Sequence, residues 1–138
     1  MILKTENLTI GYGNKAVQRN LNLEASPRDL ICLTGTNGSG KSTLLRTLAG
    51  LQLALNGKVF IANHDIASLN VHQRSTLFSL VLTDDIDIDR LTVRELVAMG
   101  RFPYTNWAGT LSKQDEEIID KALKDVHLSH KADALINH

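Results

Sequence analysis

Apolar and polar residues alternate loosely at the start of the chain: Ile2, Lys4, Glu6, Leu8, Ile10. This predicts a strand over residues 2–10. Gly11-Tyr12-Gly13-Asn14 is rich in turn residues and predicts a break. A second strand is expected over residues 16–25, with Val17, Leu21 and Leu23 as its apolar positions, and then a turn at Ser26-Pro27-Arg28-Asp29. Leu30-Ile31-Cys32-Leu33 is apolar throughout, the pattern of a strand covered on both faces. The spacing then changes: Leu44, Leu45, Leu48 and Leu51 recur at helical intervals. Asn56-Gly57 predicts a tight turn before a short strand, Lys58-Val59-Phe60-Ile61. A short helix over residues 70–78, with Asn70 as its cap, precedes a buried strand, Ser79-Leu80-Val81-Leu82. Residues 91–101 predict a helix opened by the capping box of Thr92 and Glu95 and ended by Gly100. A last helix starts at Ser112, with Asp115 completing a cap-like pair. Ile118, Ile119, Ala122, Leu123 and Val126 form its apolar face.

Between the apolar run and the first helix stands Gly35-Thr36-Asn37-Gly38-Ser39-Gly40-Lys41-Ser42-Thr43. It matches G-x-x-x-x-G-K-[ST], the phosphate-binding loop, in the strand–loop–helix setting that separates the motif from a chance Gly/Ser-rich turn. Gly35, Gly38 and Gly40 permit backbone conformations that a Cβ forbids. Successive N–H groups can then turn inward as a nest for phosphate oxygens. The helix that follows adds its unpaired N–H groups and positive dipole end. Lys41 is expected to set a point charge on the β- and γ-phosphates, Ser42 to ligate Mg²⁺, and Thr43 to support the α-phosphate side.

Composition narrows the setting. With 138 residues the chain is one ordinary domain or a piece of a larger one. Its 43% hydrophobic and 22% charged content suits a soluble globular protein. The formal net charge of zero leaves no footprint for nucleic acid or anionic lipid. Cys32 is the single cysteine, so no internal disulfide forms. It is expected to be a small core residue in a reducing, cytoplasmic setting. The first residues lack the apolar core of a secretion signal, and no apolar run is long enough to span a membrane. Any link to a membrane is expected to run through a partner.

On its own, Tyr12 has two readings: a ring exposed on a glycine-flanked turn that stacks on a base, or a ring packed against the sheet edge. Two strands before a phosphate loop are unlike a simple kinase or small GTPase. Tyr12, the loop with Asn37, Gly38 and Ser39 inside it, and Leu44-Leu45-Arg46-Thr47-Leu48-Ala49-Gly50 together resemble the ATP-binding subunit of ABC transporters. The resemblance implies an α/β fold with a P-loop NTPase (RecA-like) core, an N-terminal antiparallel β layer and a partial α-helical subdomain. Residues 1–83 would form the core and residues 84–138 the start of the helical subdomain. It implies that Tyr12 stacks on adenine, and that ATP and Mg²⁺ are the cofactors. A transmembrane permease subunit and a second copy of the ATPase would be the partners, with the protein held peripherally on the cytoplasmic face of the membrane. Leu91-Thr92-Val93, Glu95-Leu96-Val97 and Gly100-Arg101-Phe102-Pro103 resemble importers of the iron–siderophore, haem and cobalamin type.

The family's glutamine that touches Mg²⁺ and the attacking water and signals to the membrane partner is replaced by Thr83, whose shorter hydroxyl puts the metal contact in question and leaves the hinge role open. The alternative is that Thr83 only ends a strand. Gln73 falls in the expected short helix and is not taken for that glutamine. Leu80-Val81-Leu82-Thr83-Asp84 also looks like a strand ending in a Mg²⁺-holding acid, which would suit a soluble kinase or GTPase-like protein. Asp85, Asp87 and Asp89 alternate as in a calcium loop, but Arg90 and Leu96 stand where glycine and glutamate belong, so a solvated loop is expected. Phe102, Tyr104 and Trp107 anchor a partner, pack the helical subdomain, or divide between the two roles. His127, His130 and His138 have no partner at metal-site spacing.

The family's signature Leu-Ser-Gly-Gly-Gln, its Asp-Glu strand end and its switch histidine do not occur in these residues. The resemblance thus covers the first half or so of the family domain. The expectation is a chain that binds nucleotide weakly, if at all, and does not turn it over, and that exposes apolar sheet surface. A non-hydrolysing nucleotide-binding module is the alternative.

Overall fold

The structure is a computed structural model, and it describes residues 2–81 and 90–136. The chain divides into two compact units, Met1–Leu80 and Val81–His138. The boundary expected after Thr83 falls outside the described residues, as do Asp84 to Asp89 and His138.

The first unit is built on β1 (Leu3–Tyr12), which pairs antiparallel with β2 (Lys15–Leu21), β3 (Glu24–Ala25) and β4 (Asn56–Ile61). A short β5 (His64–Asp65) extends the sheet beyond β4. One face of β1 carries Leu8 and Ile10, both fully buried. They cluster with Val59, Ile61, Ile66 and Leu44 of α1 (Lys41–Leu48). The break expected at residues 11–14 shrinks to Gly13-Asn14, because Tyr12 still pairs with Lys15. The second strand divides where expected continuity fails, at Asn22-Leu23. There the buried Thr5 hydroxyl donates to Leu21 O and accepts from Leu23 N–H, both at 2.9 Å, and fills the gap in the ladder. Asn56-Gly57 is not a turn. It lies within β4, where the register shifts against β1, and Gly57 takes φ +82°. A Cβ there would meet the carbonyl oxygens of Glu6 and Asn7 at 2.4 Å. The turn comes later, at Ala62-Asn63, both at positive φ. An alanine gives no sequence signal for that conformation.

Two expected strands are not formed. Leu30-Ile31-Cys32-Leu33 has no ladder partner among the described residues, with Leu30 98% exposed and Cys32 exposed rather than buried. Residues 79–81 are likewise outside any strand, and Val81 is 94% exposed. Apolar side chains favour a strand only where neighbouring strands take up its N–H and C=O groups. Neither run has such neighbours among the described residues. The short helix appears as α2 (Val71–Leu77), with a complete capping box of Asn70 and Gln73.

The second unit pairs α3 (Val93–Met99) with α4 (Lys113–Asp125). The donors at the start of α3 are fully accounted for. Val93 and Arg94 donate to the carbonyls of Ala134 and Ala132, and Glu95 N–H donates to the Thr92 hydroxyl. The Thr92 N–H and hydroxyl in turn hold the Glu95 carboxyl below its ordinary pKa. Gly100 follows the last residue of α3 in right-handed conformation (φ −63°), so it closes the helix through a turn and not through a left-handed cap. In α4 the buried apolar positions are Ile119 and Leu123, while Ile118 and Val126 lie at the exposed rim. Arg94 bridges to Glu116 and Asp120. Arg101 bonds the buried Asp115 at 2.8 Å and stacks on the Tyr104 ring, 4.1 Å from its centre. Phe102 and Trp107 turn most of their rings to solvent, Trp107 almost wholly, whereas the half-exposed Tyr104 ring packs within this unit under Arg101.

Two outcomes are expected. Gly57→Ala destabilises the chain by roughly 2 kcal/mol, measured by chemical denaturation, because the new Cβ meets backbone that cannot give way. The Ser112 hydroxyl, the Ser112 N–H and Arg101 lower the Asp115 carboxyl from its usual 3.8 to about 2. Its folded value is depressed, so its contribution is fully present above the ordinary value and is lost as pH falls through the folded value. Helical circular dichroism followed from pH 4 to pH 2 should decline, and Asp115→Asn should flatten that part of the profile.

Candidate nucleotide-binding loop

The loop between Gly35 and Gly40 owes its shape to three glycines at positive φ: Gly35 (153°), Gly38 (81°) and Gly40 (96°). Gly40 is also where β2 touches the loop, since a Cβ there would come within 2.7 Å of Val17 Cγ1. Internally the loop is held by Ser39 N–H to Thr36 O at 3.2 Å. Gly40 O accepts the first helical bond of α1, from Leu44 N–H at 2.8 Å. No side chain caps α1, and its first turn holds no acidic residue. The N–H groups of that turn therefore retain their capacity for an anion. Lys41 Nζ reaches back along the loop and donates to the carbonyls of Gly35 and Thr36, each at 2.8 Å.

Tyr12 stands at the end of β1 and is 56% exposed. Its hydroxyl accepts from Thr43 Oγ1 at 3.1 Å, which ties the ring to the first turn of α1. Thr43 is buried, and its carbonyl accepts from Thr47 Oγ1. Ser42 is exposed beside it, and Asn37 and Gly38 are exposed in the loop. The structure thus brings Tyr12, the loop and Thr43 together within one unit. Thr83, expected near the metal, and Asp84, its rival as a metal-holding acid, lie outside the described residues. Among the described residues no group of three or more His, Cys, Asp or Glu side chains is placed to hold a metal ion.

Sequence reasoning missed two side chains that meet these elements. Gln52 Nε2 donates to Gly11 O, just before Tyr12. Gln18 Nε2 donates to Ser39 O, inside the loop, at 2.7 Å. Neither carries a local signal, because each contact spans more than twenty residues and a glutamine at that place in a strand or turn is ordinary.

The family model for ABC transporters matches residues 18–138. The chain belongs to the ABC transporter family. It is 36% identical over 135 residues to a probable siderophore transport system ATP-binding protein of Bacillus subtilis, covering 98% of this chain and 49% of that protein. It is 38% identical over 138 residues to the ferric enterobactin transport ATP-binding protein of Escherichia coli, covering 98% of this chain and 50% of that one. A crystal structure of a nucleotide-free ATP-binding cassette from an ABC transporter superposes with a TM-score of 0.78 at 25% identity, over 96% of this chain and 56% of that chain. The fold is that of an ABC ATPase cassette, α/β and P-loop NTPase-like, with an antiparallel β layer and several helices. The chain spans about half the length of the curated relatives it matches. No helix among the described residues is long and apolar enough to cross a membrane.

Gly40→Ala is expected to cost about 1–2 kcal/mol in chemical denaturation, since it combines a left-handed φ with the clash against Val17. An unchanged unfolding midpoint would show that β2 and the loop separate freely.

Proposed function

We propose that this chain is the nucleotide-binding portion of the ATP-binding subunit of an ABC importer. The observation that carries the proposal is the Thr43–Tyr12 hydrogen bond, which sets an exposed aromatic ring beside the uncapped end of α1. A purine base stacks on such a ring, and a polyphosphate suits glycine-shaped N–H groups at a helix start. Gly35, Asn37, Gly38, Ser39, Gly40 and Lys41 are assigned to the β- and γ-phosphates, and Thr43 to the α-phosphate side. The exposed Ser42 hydroxyl is an oxygen donor of the kind Mg²⁺ takes, so ATP and Mg²⁺ fit the residues present. The ion neutralises phosphate charge when bound. Thr83 is assigned at most a hinge role.

Binding is assigned to these residues and hydrolysis to the longer protein, because charge stabilisation and water positioning for phosphoryl transfer require further groups. The names of the relatives support an iron chelate or similar cofactor as the transported substrate. The full-length subunit would dimerise and dock on a permease at the cytoplasmic face of the membrane. The exposed Phe102, Tyr104 and Trp107 are available for such docking.

Calorimetric titration of ATP–Mg²⁺ into the chain and into Lys41→Ala tests the nucleotide assignment. The expected result is measurable binding that falls at least tenfold in the variant, as loss of a charged hydrogen-bond donor predicts. Equal heats from both chains, or none from either, would remove the assignment.

A further inference from the structure

Gln18 lies on β2, outside the phosphate-loop motif and outside the residues assigned to the nucleotide. It is half-buried, and its Nε2 donates to Ser39 O at 2.7 Å. Its neighbour Val17 fills the space beside Gly40, so β2 meets the loop at two consecutive residues.

The 39–40 peptide is trans and planar, so its C=O and N–H point in opposite directions. A carbonyl held toward Gln18 therefore turns the Gly40 N–H away from β2. That N–H has no hydrogen-bond partner within the described residues. Apart from the helical bond at Gly40 O, the loop's other holds are weaker or conditional. Ser39 N–H to Thr36 O is a long 3.2 Å bond. The two bonds from Lys41 to Gly35 O and Thr36 O compete with any anion that draws the ammonium inward. The bond from Gln18 is anchored in the sheet and does not depend on Lys41.

We infer that Gln18 is a positioning residue for polyphosphate binding: its amide holds the Ser39 carbonyl on the β2 side and so presents the Gly40 N–H to the ligand. This inference rests on the nucleotide reading of the loop. It predicts an effect on the phosphate part of the ligand and none on the base.

The test uses Gln18→Met, which keeps length and packing but cannot donate, and Gln18→Lys, which keeps a donor. ATP–Mg²⁺, inorganic tripolyphosphate and adenosine are each titrated into the wild-type chain and both variants. Q18M is expected to bind ATP and tripolyphosphate about 5–10-fold more weakly, the scale of one hydrogen bond, with adenosine unchanged. Q18K should bind both phosphate ligands at least as tightly as wild type. In amide NMR spectra without ligand, the Gly40 resonance should move in Q18M while those of β4 stay in place. ATP binding by Q18M equal to wild type, equal weakening for adenosine, or Q18K as weak as Q18M would each overturn the role of Gln18 alone. A wild-type chain that binds none of the three ligands would instead overturn the nucleotide reading, and the role of Gln18 with it.

Discussion

The first unit depends on one strand being paired on both sides while its inner face is sealed. β1 takes β2 and β3 on one flank and β4 on the other, and buries Leu8 and Ile10 completely. Hydrophobic burial of that face against Leu44, Val59, Ile61 and Ile66 ties the sheet to α1. The same strand ends in Tyr12, so the packing that fixes α1 also fixes the ring beside it. Site geometry here follows from core geometry: the hydroxyls of Tyr12 and Thr43 meet because Ile10 and Leu44 share one cluster.

The second unit is organised differently. Its apolar contribution is narrow, centred on Ile119 and Leu123, and polar pairing does much of the joining. Arg94 reaches two carboxylates of α4 from α3, and Arg101 reaches Asp115 from the segment after α3. Asp115 is at once the third residue of a capping box and the partner of Arg101, which is why it stays ionised far into acid. A buried carboxylate satisfied on both oxygens is costly to unpair, so this junction is specific as well as stable.

What was legible in the sequence was whatever is decided within a few residues. The cap at Asn70, the capping box at Thr92 and the cap-like pair at Ser112 all formed, because each needs only its own turn. The glycine pattern of the loop and the membership in the ABC family were visible for the same reason. The strands expected at residues 30–33 and 79–82 rested on apolar character alone, but a ladder is a property of two segments, and no second segment pairs with residues 30–33 or 79–81 among the described residues. Gly57 was misplaced because a glycine at a bulge and a glycine in a turn share one signal, positive φ. The contact of Gln18 with Ser39 was invisible because nothing local to residue 18 records it.

The position of Lys41 carries a consequence of its own. With its ammonium shared between two loop carbonyls, Lys41 would meet a ligand in competition with its own loop. A lysine ammonium has three N–H donors, so an anion would meet the remaining one and compete with the two carbonyls for the others. A chain of phosphates, unlike a single one, would span the ammonium and the helix amides together. In the proposed nucleotide reading, the residue assigned to the phosphates is also the one that pins the loop through Gly35 O and Thr36 O.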